Sequence, residues 1–564
     1  MHKLSKNYKY IYSLLTSPLF LTSTFFLVLF TLFTPTYEDV DDVAMTLIAN
    51  GLYTGEPSAY LVFINIILGK FLTILYRIYP DWNWYSAFFY GVAFVSLFSI
   101  LTVAINKIKS KALLAISLLF VFIFYLWFLL FLQFTTIAAL AATSGIFLFL
   151  FLIGNNKGQS KFSYITTYSL LLVSSLIRED SFYLIIILAI PIIILTYKQH
   201  VLKRKTMIIF LLIVTLGVGT TKYIHNISYN KNSDWYKFML LQKPRGQLSS
   251  YSIYNFDKNK QTYNEVGWSI NDYFMFNIFL YHDESIFSVK KLQFILSSIK
   301  YKNFNPIILQ DTLSRLISFN INSFPYILLV ILISITGWSS IKNKTYFLAT
   351  CSIGLFIFIY FSYLGRLPER IILPILFFIG FSGLYLTSKH NLLSLDKLGI
   401  FKITYYIFSI SLILTFIFTY TQKSIENKNK IIEYQKIFKY LPDGKNKLVY
   451  IWNISLPLQW MSPFDNYSRY RNRSIITGGW TQRTPHDLLL LKRFNIDNIY
   501  TALYENNNIY LIAIPEYTEL LQIFMKEHYH KNIYFVSLHN FKFTISPYDD
   551  AKPQLYKVLL KNTP

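Results

Sequence analysis

Residues 17–42 read SPLFLTSTFFLVLFTLFTPTYEDVDD. An apolar run of membrane-spanning length ends in four carboxylates within five residues: Glu38, Asp39, Asp41 and Asp42. A helical span needs about 20 apolar residues, so 17–35 predicts a retained first span. A signal peptide would carry a shorter apolar region and a small-residue cleavage site, and neither stands out at 19–33. The basic stretch 1–10 places the N-terminus in the cytoplasm. The acidic run then lies at the external end of the span.

The rest of the chain has the same character. Of 564 residues, 54% are hydrophobic and 15% charged, with a mean hydropathy of +0.39. Soluble chains carry about 25% charged residues. With 51 Phe and 45 Tyr, disorder is excluded. A single cysteine, Cys351, excludes an intrachain disulfide and thiolate metal sites, and its apolar setting suits packing. The net charge of +24 would suggest nucleic acid in a soluble protein. Here the cations sit in short loops and read as topology signals and headgroup contacts.

Further apolar runs lie at 84–105, 112–132, 135–154, 162–177, 181–197, 206–224, 321–339, 345–364, 371–387 and 400–420. The fold class expected is an all-α polytopic membrane domain of about eleven transmembrane helices over 1–420, plus a small external α/β domain over 421–564. From a cytoplasmic N-terminus this count puts Lys107, Lys109, Lys111, Lys157, Lys161, Lys198, Lys203, Arg204 and Lys205 inside, with Lys342, Lys344, Lys389 and Lys397. Residues 58–79 must then stay outside. They are read as a juxtamembrane helix within the external loop 36–83, with Lys70 and Arg77 snorkelling, preceded by an amphipathic helix at about 41–50. A long external loop spans 226–320. In the tail, strand-like 447–452, 508–514 and 532–538 alternate with helix-like 484–494 and 515–528.

Four neighbouring carboxylates beside hydrocarbon are costly unless they meet cations, a metal or a protonatable substrate. Withdrawn from water, such a carboxylate gains proton affinity and suits a general base for a sugar hydroxyl. Favourable helix N-terminal charge accounts for one or two of them, not all four. Asp39 and Asp42 are the preferred bases, with Glu38 and Asp41 beside them. Two more charged clusters fall on the same side. They are Arg178-Glu179-Asp180 and the stretch from Gly365 to Arg370, which holds Arg366, Glu369 and Arg370. Guanidinium groups suit bidentate phosphate binding, and ion pairing between helices is the competing use. Arg245 and Arg315 are weaker phosphate candidates, and Glu179 and Asp180 are supporting charges. Histidines show no metal-ligand spacing, and no GxxxxGK[ST] loop is present.

The segment from Tyr37 to Tyr90 resembles the opening of GT-C superfamily glycosyltransferases, the polytopic enzymes that use polyprenyl-phosphate sugars, in their protein O-mannosyltransferase-like and aminoarabinose transferase-like branches. The shared pattern is an acidic pair after the first span, a short helix, a Gly-containing turn (Asn50-Gly51 to Gly55-Glu56-Pro57) and an aromatic-rich juxtamembrane helix. The Lys-Pro-Pro stretch of some relatives is absent here. The resemblance implies an inverting transfer from a polyprenyl-phosphate-linked donor to a cell-surface glycan or lipid-linked acceptor, on the outer face of a bacterial cytoplasmic membrane. It implies a first-loop carboxylate as base and Arg178, Arg366, Arg370 and Arg245 on the donor phosphate. No cofactor is required; a divalent metal on the carboxylate run is an option, with no metal ligand assigned. The alternatives are an O-antigen or capsule repeat-unit polymerase and, from another class, a lipid-linked-glycan transporter or flippase. Charges at span ends, rather than at mid-membrane, speak against the transporter.

Overall fold

The computed structural model describes residues 17–155, 160–299, 323–337, 341, 343–387, 401–442, 444, 446–452, 455–465, 474–543 and 552–561. The basic stretch 1–10, Arg315 and the loop lysines Lys157, Lys342, Lys389 and Lys397 lie outside them.

Each of the eleven apolar runs falls on a helix. The first element, α1, is Pro18–Leu32, with Ser17 as its N-cap. Strand β1 (Thr36–Tyr37) leads to α2 (Val40–Ala49), then α3 (Ile66–Ile78), α4 (Trp84–Lys107) and α5 (Lys111–Leu130). Strand β2 (Phe131–Leu132) is followed by α6 (Phe134–Gly154), α7 (Lys161–Ile177), α8 (Glu179–Gln199) and α9 (Arg204–Lys231). Helices α10 (Ser233–Ser250), α11 (Lys260–Glu265), α12 (Ile270–Asn277) and α13 (Val289–Ser298) fill the expected long loop. The apolar helices resume at α14 (Phe324–Gly337), α15 (Lys344–Tyr363), α16 (Glu369–Leu386) and α17 (Phe401–Ile437). Among the described residues, seven helices are long and apolar enough to cross a membrane by length and composition. The helices at 18–32 and 324–334 are apolar but shorter. The bundle centres on α6, whose most apolar window is 89% buried, whereas that of 201–231 is 22% buried and peripheral. Ala138, Ala139, Ala141 and Ala142 on α6 are fully or almost fully buried. Small side chains there let neighbouring helices approach closely, and Ser174 Oγ donates to the Ala138 carbonyl at 2.7 Å.

The segment read as a helix from 58 is helical only from Ile66. Its first eight residues are tied to other elements instead. Val62 N–H donates to Tyr229 Oη at 2.9 Å, and Asn65 N–H donates to the Leu176 carbonyl at 2.9 Å. Asn65 then caps α3 by accepting from Ile67 N–H at 3.0 Å. Lys70, Phe71, Ile74 and Arg77 form an exposed basic and apolar face, while Leu68, Leu72 and Tyr76 are buried. Gly69 allows this seating, because a Cβ there would lie 2.1 Å from the Ala59 carbonyl oxygen. Gly69→Ala should therefore lower stability by about 1–3 kcal/mol. Thermal unfolding of the detergent-solubilised protein reads this, and an unchanged melting temperature would refute the contact.

The boundary expected at 420/421 falls inside α17, which runs unbroken to Ile437. Polar residues replace apolar ones after about 421 without any helix breaker, so the composition changes there but the backbone does not. The tail then forms a five-stranded sheet of order β4-β3-β5-β7-β6. Its strands are β3 (Leu448–Ile451), β4 (Ser474–Thr477), β5 (Ile509–Ala513), β6 (Ile533–Asn540) and β7 (Gln554–Leu560), with helices Pro485–Arg493, Ile499–Glu505 and Pro515–Tyr529 between them. The first three strands run parallel, and β7 pairs antiparallel with β5 and β6. Strands β4 and β7 were not read from the sequence. β4 is four residues long, and β7 carries Lys557, whose ammonium lies 4.1 Å from the centroid of the Tyr510 ring.

The sheet unit and the 233–299 segment do not stand apart. Trp452 Nε1 donates to the Ile278 carbonyl at 3.1 Å, and Tyr500 Oη to the Leu280 carbonyl at 3.1 Å. Gln482 accepts from Tyr281 N–H at 2.9 Å, and His528 Nε2 lies 2.7 Å from Asp272 Oδ1. The same unit reaches the bundle where Asn83 Nδ2 donates to the Pro463 carbonyl at 2.9 Å.

Candidate active site

Strands β1 and β2 pair in parallel, Thr36 with Phe131 and Tyr37 with Leu132. Glu38 N–H extends the ladder to the Leu132 carbonyl at 3.1 Å. This fixes the acidic run against the start of the most buried helix, α6. Asp39 leaves the strand in an extended conformation and caps α2, accepting from Val40 N–H at 2.7 Å. Asp41 and Asp42 occupy the first helical turn, where the helix dipole favours negative charge.

The four carboxylates have different surroundings. Asp42 is fully buried; its Oδ1 accepts from Tyr85 Oη at 2.8 Å and from Phe134 N–H at 3.0 Å. Burial drives its pKa well above the ordinary range. It ties α2 to α4 and α6 and, fully buried, offers no surface to an acceptor. Asp39 is ion-paired with Arg370 through Oδ2, with its Oδ1 committed to the helix cap. Asp41 is half-buried, and among the described residues no side-chain hydrogen bond reaches its carboxylate. Burial, with the charge of Asp39, pushes its pKa up to about 7 against the pull of the Arg370, Arg245 and Arg178 guanidiniums. Glu38 is raised to about 8, chiefly by burial.

The arginines come from distant stretches to this end of the bundle. Arg370 opens α16. Arg366, just before it, donates to Ser250 Oγ at 2.6 Å. Burial and the neighbouring Arg370 lower its pKa, while Asp39 and Asp41 oppose the shift. Arg245, on α10, is 6% exposed; it donates to Gln242 Oε1 at 2.9 Å, and its Nε is buried without a hydrogen-bond partner among the described residues. Arg178 sits at the junction of α7 and α8, between the rings of Phe63 and Phe134 at 5.5 and 5.6 Å, and pairs with Asp180 at 2.8 Å. Glu179 points elsewhere, to Lys222 at 2.6 Å. The structure thus brings Glu38, Asp39, Asp41, Arg178, Arg245, Arg366 and Arg370 into one charged cluster and leaves Glu179 outside it.

Sequence reasoning missed Tyr85 and the Phe134 amide. Neither a tyrosine inside an apolar run nor a backbone N–H carries a sequence signal. Gln133 caps α6 by accepting from the Thr135 and Thr136 amides at 2.6 and 3.1 Å. Among the described residues, the three ligand-type side chains whose donor atoms lie within 4.8 Å of one another are Asp272, Glu527 and His528, away from the acidic run.

No family model matches the chain, and no curated protein matches it. Over 95% of this chain and 97% of the other, the structure is similar to the crystal structure of ArnT from Cupriavidus metallidurans bound to undecaprenyl phosphate, with a TM-score of 0.41 and 8% sequence identity.

Proposed function

We propose that this protein is an integral-membrane, GT-C-type glycosyltransferase working at the outer face of a bacterial cytoplasmic membrane. Its donor is a polyprenyl-phosphate-linked sugar, and its acceptor is a hydroxyl of a cell-surface or lipid-linked glycan. The observation that supports this most directly is Asp41: a half-buried carboxylate with raised proton affinity, free of side-chain hydrogen bonds among the described residues and lying in the field of the Arg370, Arg245 and Arg178 guanidiniums. A lipid-linked donor keeps its phosphate at the bilayer boundary, where the N-terminal end of α16 presents Arg366 and Arg370.

The step balances without a cofactor. The acceptor oxygen attacks the anomeric carbon in line, and the bond from that carbon to the phosphate oxygen breaks. The hydroxyl proton passes to Asp41, and polyprenyl phosphate leaves with the electron pair. A single displacement inverts the anomeric centre. The guanidiniums stabilise the charge that grows on the leaving phosphate.

Proteoliposomes holding a panel of radiolabelled polyprenyl-phosphate sugars and a bacterial glycolipid extract test the reading. Label appearing on an acceptor, with release of polyprenyl phosphate, supports it. Label that crosses the bilayer still attached to its lipid would replace it with transport. Arg366→Ala should weaken donor binding about tenfold or more, and Arg366→Lys less, because a lysine keeps the charge but not the planar fork. Equal donor affinity in both variants, measured by lipid-exchange titration, removes Arg366 from the phosphate site.

A further inference from the structure

Glu38, next to the Asp39–Arg370 pair, lines a cavity of about 240 Å³ between β1, the start of α16, α17 and the tail segment around Trp460. This volume is below the roughly 300–1,000 Å³ of pockets for drug-sized ligands. Trp127, Phe131 and Trp460 supply an aromatic wall, and Glu38, Glu369 and Gln459 supply polar atoms. We infer that this cavity is the subsite for one neutral pyranose ring of the acceptor. The inference rests on the transferase reading and adds the acceptor's chemistry and place to it.

Three features support a neutral sugar. First, Gln459 lines the cavity, and among the described residues its side-chain amide makes no hydrogen bond, so it is available to a sugar hydroxyl there. Second, with Glu38 protonated, the remaining charges around the cavity balance: Glu369 and Glu426 against Lys423 and Lys430. Both lysines are already paired with Glu426, Lys423 at 2.9 Å. An anionic ligand is better served by the arginine cluster, where Arg245 Nε is buried without a hydrogen-bond partner among the described residues. Third, the mixture of aromatic rings with carboxyl and amide groups matches the two faces of a sugar ring, one C–H-rich and one hydroxyl-rich. Glu38, with a pKa raised to about 8, keeps its carboxyl proton at neutral pH and can donate it to a sugar oxygen.

Saturation-transfer NMR on the full chain in detergent, without donor, tests the subsite. The probes are the methyl glycosides of glucose, galactose, mannose and N-acetylglucosamine. At least one should show transfer to its ring protons. Gln459→Leu, nearly isosteric, should weaken that binding about fivefold, the value of one hydrogen bond, and Trp460→Ala should weaken it further. Arg366→Ala should leave it unchanged, and inorganic phosphate should not compete. No transfer from any of the four glycosides, transfer that survives both cavity variants, or displacement by phosphate overturns the inference. The measurement needs no turnover. A protein that binds the glycoside but moves no sugar keeps this subsite and loses the proposed reaction; one that transfers sugar but fails here keeps the reaction and loses the subsite.

Discussion

Asp41→Asn is expected to lower the transfer rate by about 10²–10⁴-fold while leaving donor binding and membrane insertion intact. An amide keeps the shape of the first turn of α2 but takes no proton. The neighbouring Asp42→Asn should behave differently. Its Oδ1 still accepts from Tyr85 and the Phe134 amide, so most activity is retained, although the new amide nitrogen takes the place of Oδ2, buried without a partner among the described residues, and lowers stability by about 1–3 kcal/mol. Asp42→Ala removes that acceptor and leaves two buried donors unsatisfied, at about 1–3 kcal/mol each before relaxation. Transfer assays beside thermal unfolding separate the two roles. If the Asp42 amide variant is inactive and the Asp41 amide variant active, the roles are reversed. The pH profile carries the same assignment. A base works deprotonated, and the Asp41 pKa is raised to about 7, so kcat/KM should climb through pH 6–8 and level above it. A profile flat from pH 5 to 8 would show that Asp41 is not the group that takes the proton.

The position of this cluster was legible in the sequence, and the division of labour within it was not. Apolar length places 17–35 as a helix, and the acidic run must then lie at its end. Likewise Arg178 and Arg366 fall in turns between apolar runs, so the same side of the bundle collects them. What decides which carboxylate is reactive is its set of partners. Asp42 meets residues 43 and 92 positions away, and Asp39 one 331 positions away. No local period encodes such contacts. Asp39 caps α2 and Asp42 bonds to Tyr85 and the Phe134 amide, contacts that no spacing in the sequence announces. A similar limit applies to the tail. The strand-like runs at 447–452, 508–514 and 532–538 became β3, β5 and β6, whereas β4, as short as β3, has only Ile475 and Ile476 between polar residues, and α17 stays helical past the compositional change near 421.

Arg370 carries the second large expectation. It is the direct ionic partner of Asp39 and an opposing charge for both Glu38 and Asp41. Arg370→Ala should reduce transfer by about 10²-fold or more, through loss of phosphate stabilisation and of the charge that keeps its neighbours ionised. The sign of the second effect is fixed. Arg370 pulls the Asp41 pKa down, so its removal raises that pKa, and the acidic limb of kcat/KM must move to higher pH. Arg370→Lys restores a charge without the bidentate fork, so it should return the limb most of the way while recovering only part of the rate. The stability cost should be modest, about 1 kcal/mol, because the Asp39 side chain is 37% exposed and water replaces part of what the pair supplied. A merely structural arginine would give the opposite pattern: a lower melting temperature, a rate that follows the folded fraction, and a pH limb that stays where it was.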